Sequence, residues 1–371
     1  MTTSAAKQQK VAGPGVVNFL VGLAIVLVLA IMARWFKDQV YGVKDLFGWG
    51  VPGKVLEFPL WAALLGLIVN PILKGLKVYD FAKSGFRTEL FLKIGLVLLG
   101  AGISFKVIVT AAAGAILQGV IMVASVYFFS WWLGGKFGLS DSLRAVMSTA
   151  VSICGVSAAI AAAGSVLAKK EEITYITALV IITALPLMII APLIAEAMNM
   201  PEPIAGAWFG GNVDTTAAVV GAGTIYGETA QQIASIVKQT QNALIGVVAF
   251  LLALYFTTVV EGKKQKPSAM IIWQRFPKFV LGFLVTSLLF TFALIPAAGK
   301  EAATAGNTIA SMKDWAFCLA FVCMGLELSV SGIKKMGWAP IIVYLIVTVF
   351  NTLLALGVSW LIFGWLFPAS L

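Results

Sequence analysis

Four ionisable side chains stand inside apolar runs of this chain: Lys93, Asp214, Lys238 and Glu327. A charge in hydrocarbon is costly, so residues of this kind mark ion pathways, proton relays or ligand counter-ions. Asp214 lies in Gly210-Gly211-Asn212-Val213-Asp214-Thr215-Thr216. Carboxylate, amide and hydroxyl oxygens gathered in this way suit Na⁺ or a proton carrier. Freed backbone N–H groups with the same hydroxyls suit the oxygens of an anion. The competing reading, a polar loop at the membrane surface, is weakened by the apolar run that resumes at Ala217. Lys238, Gln241 and Asn242 recur at i, i+3 and i+4 and so share one helix face. Lys238 could neutralise Asp214, bind an anion directly, or snorkel to lipid headgroups.

Ser152-Ile153-Cys154-Gly155-Val156-Ser157 interrupts the long apolar segment 141–168. Small residues allow close helix packing, and they also allow a helix to unwind and expose half-helix ends at the bilayer midplane. We expect Ser152, Cys154, Gly155 and Ser157 to line a substrate site together with Asn212, Thr215, Thr216, Lys238, Gln241 and Asn242. Glu327 and Ser329 follow Met324-Gly325 in another apolar segment. If that helix also breaks, at Gly325, and crosses the first break, four half-helix ends meet at mid-membrane. Their positive N-terminal ends would favour an anion, with Gly325 and Ser329 lining the site and Asp214 and Glu327 coupling a cation.

Eleven apolar segments are long enough to be candidate spans: 15–36, 57–76, 88–109, 112–134, 141–168, 173–199, 203–226, 230–259, 272–296, 313–331 and 339–367. Segment 203–226 is the least apolar and is open to a re-entrant reading. The expected fold is therefore an all-α polytopic membrane protein. Residues 1–14 form a cytoplasmic tail, and 15–371 form one transporter domain. With the N-terminus inside, 15 Lys and Arg fall on the inner side and nine outside, which fits the positive-inside bias. Faint similarity pairs the fifth segment with the tenth, giving five plus five spans in inverted repeats, 56–199 and 203–367, after one N-terminal helix. Arg34–Glu57, with its aromatic and charged residues, reads as an interfacial segment. Glu261–Pro267 reads as a hydrophilic loop.

Composition excludes several classes. The chain is 60% hydrophobic and 11% charged, with mean hydropathy +0.98; soluble domains carry about 25% charged residues. There is no histidine, which removes Ser-His-Asp and Cys-His catalysis and the usual zinc sites. Cys154, Cys318 and Cys323 lie in apolar segments without metal-binding or disulfide spacing. No phosphate-binding GxxxxGK[ST] loop occurs, so no ATP-driven step is expected. The basic excess sits between apolar runs rather than in a nucleic-acid-binding patch.

Ser152-Ile-Cys-Gly-Val-Ser-Ala-Ala159 resembles the Ser-Ile-Cys-Gly element of the bacterial family labelled as sulfate exporters and represented by YeiH. Gly206-Ala-Trp-Phe-Gly210, Val219–Gly223 and Ile236–Leu244 fit the same pattern, as do Leu96–Gly100 and Met324-Gly-Leu326. The resemblance implies a carrier for sulfate, sulfite or sulfonate-derived anions. It also implies a fold similar to bile-acid symporters and sodium–proton antiporters, with two crossed broken helices between inverted repeats. The chain departs from the pattern at Asp214-Thr215, where the family often has His before an acidic residue, and at Gln241, where it often has Arg.

These features point to a secondary active transporter of a small anion in a bacterial inner membrane. No cofactor is expected beyond H⁺ or Na⁺ coupling. The expected partners are a small-molecule or ionic substrate and the lipid bilayer, without nucleic acid; a homo-oligomer is left open. The alternatives are a cation–proton antiporter or Na⁺-coupled carrier using Asp214 and, in another class, a membrane enzyme.

Overall fold

The computed structural model describes residues 15–40, 58–166, 168–260, 270, 273, 278–294, 296, 302–327 and 337–368. Glu261–Pro267, Ser329 and most of Arg34–Glu57 therefore lie outside the described residues. Every regular element described is helical. The first third of the chain gives α1 (Val16–Val40), α2 (Phe58–Gly75), the short α3 (Tyr79–Ala82), α4 (Thr88–Gly102) and α5 (Phe105–Lys136). The middle gives α6 (Asp141–Ser152), α7 (Val156–Val166), α8 (Lys170–Ala197), α9 (Glu202–Asn212), α10 (Thr216–Tyr226), α11 (Glu228–Ala243) and α12 (Ile245–Tyr255). The remainder gives α13 (Lys278–Leu289), α14 (Ala302–Glu327) and α15 (Ala339–Ser359). Wide π turns extend α12, α13 and α15. Seven described helices or helix runs are long and apolar enough to cross a bilayer.

Segments 141–168 and 203–226 do not cross. Each is a pair of half-helices of 11 or 12 residues, about 17 Å apiece at 1.5 Å per residue. Joined end to end, either pair would reach across a hydrocarbon core of about 30 Å. Instead each folds back on itself. Ser140 and Ser142, at the start of α6, both donate to the Glu172 carboxylate at the start of α8, at 2.9–3.0 Å. That carboxylate also accepts the backbone N–H of Lys169. The two ends of the α6–α7 hairpin therefore lie on one face of the molecule. The α9–α10 hairpin closes in the same way on the opposite face. There the Glu202 carboxylate accepts the Ala230 N–H at 3.2 Å. Gly206 of α9 and Gly223 of α10 both press against Ala230-Gln231 of α11.

The broken second element is thus α9–α10, not the tenth segment. α14 is continuous through Met324-Gly325 to Glu327. Gly325 serves instead as a contact point between helices: a Cβ there would lie 2.3 Å from the Ala63 carbonyl oxygen, and one at Gly66 would lie 2.4 Å from that of Val322. Small residues allow α2 and α14 this backbone approach. The expected break between the third and fourth spans also shifts, since α5 begins at Phe105 behind a turn at Ile103-Ser104. Among the described residues the second broken segment is therefore the seventh, and the tenth runs unbroken to Glu327.

The helices divide into two bodies. α1–α4, α13 and α14 pack among themselves, as do α5–α12 and α15, and the contacts between the two sets are thin. They consist mainly of α10 against α2 and α14, and α5 against α13. The Phe105 N–H to Thr291 Oγ1 bond, 2.8 Å, and the Lys313 to Gln231 bond, 3.2 Å, cross this seam.

Two outcomes follow from this topology. Cysteines placed singly at Lys136 and Lys169 should react with a membrane-impermeant maleimide from the same side, and one at Met198 from the other; labelling of Lys136 and Lys169 from opposite sides would restore a crossing α6–α7. Gly325→Leu should destabilise the fold by about 1–3 kcal/mol through overpacking. Gly306→Leu on the same helix, where a Cβ meets open space, should leave thermal unfolding unchanged.

Candidate functional site

The tips of the two hairpins meet inside the second body. The first tip, Ile153-Cys154-Gly155, turns through Gly155 at φ +68°, a left-handed conformation that L side chains avoid. A Cβ on Gly155 would lie 2.4 Å from Val180 Cγ1 of α8, and 3.4–3.5 Å from Thr215 Cγ2 and the Asp214 carbonyl oxygen of the second tip. At the second tip, Val213-Asp214-Thr215, the Thr215 hydroxyl caps α10 by accepting the Ala218 N–H at 3.2 Å. Each tip therefore joins the C-terminal end of an incoming half-helix to the N-terminal end of an outgoing one. Carbonyls and N–H groups are left without intrahelical partners there.

α11 lies across both tips. It is unusual for an element inside an apolar body, because Gln231, Ser235, Lys238, Gln239, Gln241 and Asn242 are all buried. Lys238, 1% exposed, donates from Nζ to the Ile153 carbonyl oxygen of the first tip at 2.7 Å and to Gln241 Oε1 at 2.8 Å. Both acceptors are neutral. Asn242 Nδ2 donates to Thr216 Oγ1 of the second tip at 3.2 Å. From the other side, α15 holds the second tip. Tyr344 donates its hydroxyl to Asp214 Oδ2, Asn351 Nδ2 donates to the Asn212 carbonyl at 2.9 Å, and Thr352 Oγ1 donates to Asn212 Oδ1 at 2.7 Å. Gln118 of α5 donates to the Ala207 carbonyl at 2.7 Å.

Several polar atoms in this layer are buried without a hydrogen-bond partner: Asp214 Oδ1, Asn242 Oδ1, Asn212 Nδ2, Gln241 Nε2 and Gln118 Oε1. An orphaned buried polar atom costs about 1–3 kcal/mol, so a cluster of them around two fixed charges has the form of a ligand site.

Of the residues expected to form the site, Ser152, Cys154, Gly155, Asn212, Asp214, Thr215, Thr216, Lys238, Gln241 and Asn242 come together at or beside the two tips. Ser157 sits in the first turn of α7, exposed, with its hydroxyl 3.5 Å from Glu89 Oε1 of the other body. Lys238 and Asp214 do not form an ion pair: among the described residues, no carboxylate oxygen lies within 4.0 Å of Lys238 Nζ. Gly325 and Glu327 belong elsewhere, because α14 does not break. Glu327 accepts a hydrogen bond from Thr88, the first residue of α4, at 2.8 Å. Lys93 forms an exposed i,i+4 ion pair with Glu89. Tyr344, Asn351, Thr352 and Gln118 were absent from the expected set. Their signal in the sequence is Gln118, the one amide side chain in the apolar segment 112–134, and three polar groups on one helix of segment 339–367.

This arrangement defines a helical membrane protein with two opposed re-entrant hairpins and a buried, charged site between their tips. The family model described as Conserved hypothetical protein 698 matches residues 16–344. The chain belongs to that family, the YeiH-like family that Ser152–Ala159 resembles. It is similar to a UPF0324 membrane protein of Rhodopirellula baltica, 35% identical over 93% of this chain and 63% of the relative. One from Nitratidesulfovibrio vulgaris is 34% identical over 97% of this chain and 62% of the relative. The UPF0324 membrane protein TauZ of Paracoccus denitrificans is 27% identical over 89% of this chain and 91% of the relative. The chain thus spans less than two thirds of the length of the first two relatives. No solved structure matches.

The tip geometry has a direct consequence. Gly155→Ala should cost at least about 1–3 kcal/mol, from the left-handed backbone alone, and further from the clash with Val180. Thermal unfolding in detergent would register this as a lowered midpoint; an unchanged midpoint would show that the tip does not hold this conformation.

Proposed function

We propose that the protein is a secondary active carrier of a small anion, such as sulfate, another sulfur oxyanion or a sulfonate, working by alternating access. The observation that carries this reading is Lys238, a fully buried ammonium whose hydrogen bonds go only to neutral oxygens. An isolated buried charge costs several kcal/mol, and an anionic ligand would offset that cost. Gln241 Nε2 is an unpaired donor one helical turn away. The N-terminal ends of α7 and α10 add partial positive charge at the same level. Ser152, Cys154, Gly155, Ser157, Asn212 and Thr215 would line the anion's approach. Na⁺ or H⁺ coupling would fall to Asp214. The reading is of a carrier and not an enzyme, with no cofactor.

Alternating access needs two bodies that can shift past one another, and the thin seam supplies a place for it. A cavity of about 680 Å³ lies along this seam on the Met198 face, between Leu98, Asn307 and Lys313 of the first body and Glu228, Gln231 and Gln232 of the second. From it Gln231, Ser235, Lys238 and Asn242 run down one face of α11, at spacings i, i+4, i+7 and i+11, as a polar stripe towards the tips. The opposite entry of the two hairpins supports an inverted relation between 141–168 and 203–226, which do not hold corresponding places in the expected repeats 56–199 and 203–367. Folding back the hairpins also strengthens the orientation argument, because Lys169 and Lys170 join the face that carries Lys136 and Arg144. That face then holds nine of the described Lys and Arg residues, with four on the other and with Lys93 and Lys238 set aside. This favours an inner membrane with the nine-residue face and the N-terminus cytoplasmic. A homo-oligomer is compatible with this reading and is not required by it.

Lys238→Gln removes the charge and keeps a donor. In proteoliposomes given sulfate, sulfite and sulfonates in turn, the variant should lose flux at least about tenfold, the value of a hydrogen bond to a charged group, with an unchanged gel-filtration profile. Flux equal to that of the unaltered protein would remove Lys238 from the substrate site and the anion reading with it.

A further inference from the structure

We propose that the second hairpin tip is a sodium site. Asp214 Oδ1, Asn242 Oδ1 and the Thr216 hydroxyl would take a Na⁺ whose binding is coupled to that of the anion at Lys238; the coupling, though not the site, rests on the anion reading above. Two buried charges of opposite sign stand in this layer without pairing to each other. Lys238 is turned to the first tip, and Asp214 is held at the second by Tyr344. Tyr344 occupies Oδ2 and leaves Oδ1 bare, buried and without a donor.

The neighbouring atoms are also acceptors. Asn242 spends its amide nitrogen on Thr216 Oγ1, leaving Oδ1 buried and unpartnered. Thr216 is the first residue of α10, two positions beyond Asp214, and Asn242 is bonded to it, which places all three residues at the second tip. The C-terminal end of α9 adds main-chain carbonyls and their partial negative charge on the same side. A carboxylate, an amide oxygen, a hydroxyl and carbonyls form an oxygen-only set, the type preferred by hard cations. With a single carboxylate, the set balances a monovalent ion. Of the donors left bare in the layer, Gln241 Nε2 lies beside Lys238 and the first tip, and Asn212 Nδ2 lies at the second. Anion and cation would therefore sit side by side, each at one hairpin, and each would reduce the charge penalty of binding the other.

The test is thermal unfolding of the detergent-purified full chain at fixed pH and ionic strength, with Na⁺ titrated against choline and no anion added beyond chloride. A ligand that binds only the folded state raises the midpoint in a saturable way. Na⁺ should do so for the unaltered protein. Asp214→Asn and Thr216→Val should each weaken the apparent affinity by about tenfold or more, while Thr216→Ser and Lys238→Gln should keep it. The serine variant guards against reading misfolding as lost binding. Identical midpoints in Na⁺ and choline, or an undiminished Na⁺ shift in both Asp214→Asn and Thr216→Val, would overturn the sodium site. Anion flux that follows a proton gradient and ignores Na⁺ would overturn the coupling and leave the anion carrier intact. A Na⁺ shift that survives in Lys238→Gln, in a protein that moves no anion, would uphold the site and remove the anion reading.

Discussion

Lipid offers nothing to a bare N–H or carbonyl, so backbone may unwind at membrane depth only where protein covers it. The rest of this structure depends on that constraint. Two chain breaks, at Ile153–Gly155 and Val213–Thr215, lie inside the second body, and each is covered by the other and by a polar helix. α11 turns Lys238 to one tip and Asn242 to the other. α8 presses Val180 against Gly155, and α15 supplies a phenol, an amide and a hydroxyl. The same cover that makes the breaks tolerable creates the charged pocket between them.

The two bodies use glycine in different ways. In the first, Gly66 and Gly325 bring the backbones of α2 and α14 together, which favours a stiff, close-packed frame. In the second, Gly155 permits a left-handed turn, while Gly206, Gly210 and Gly223 let the α9–α10 hairpin lie flat on α11. The frame and the hairpin body share few contacts, so a shift of one against the other disturbs little packing within either.

Much of the site was legible in the sequence. Asp214 and Lys238 are charges in apolar surroundings, and Gly155 with its flanking serines marks a break. What the sequence hid was direction. Segments 141–168 and 203–226 are as long as crossing helices, and contacts with other elements, those of Glu172, Glu202, Gly206 and Gly223, show that each returns to its own side. Met324-Gly325 misled because a glycine that unwinds a helix and one that admits a neighbouring helix look alike in one dimension. Tyr344, Asn351 and Thr352 share one helix face at i, i+7 and i+8, but that spacing does not name their partners, which lie 130 to 140 residues away.

That separation bears on how the molecule is assembled. The second hairpin carries Asn212 and Asp214 at its tip, groups that hydrocarbon does not accept unpaired. Their partners on α15 are synthesised well after the hairpin itself. Until α15 is in place, the tip has no phenol for Asp214 and no hydroxyl for Asn212, so a stable dry insertion must wait. The pocket is thus completed late, when a distant helix docks, and a ribosome-bound intermediate ending before residue 339 holds the first hairpin's latch but not the second tip's cover.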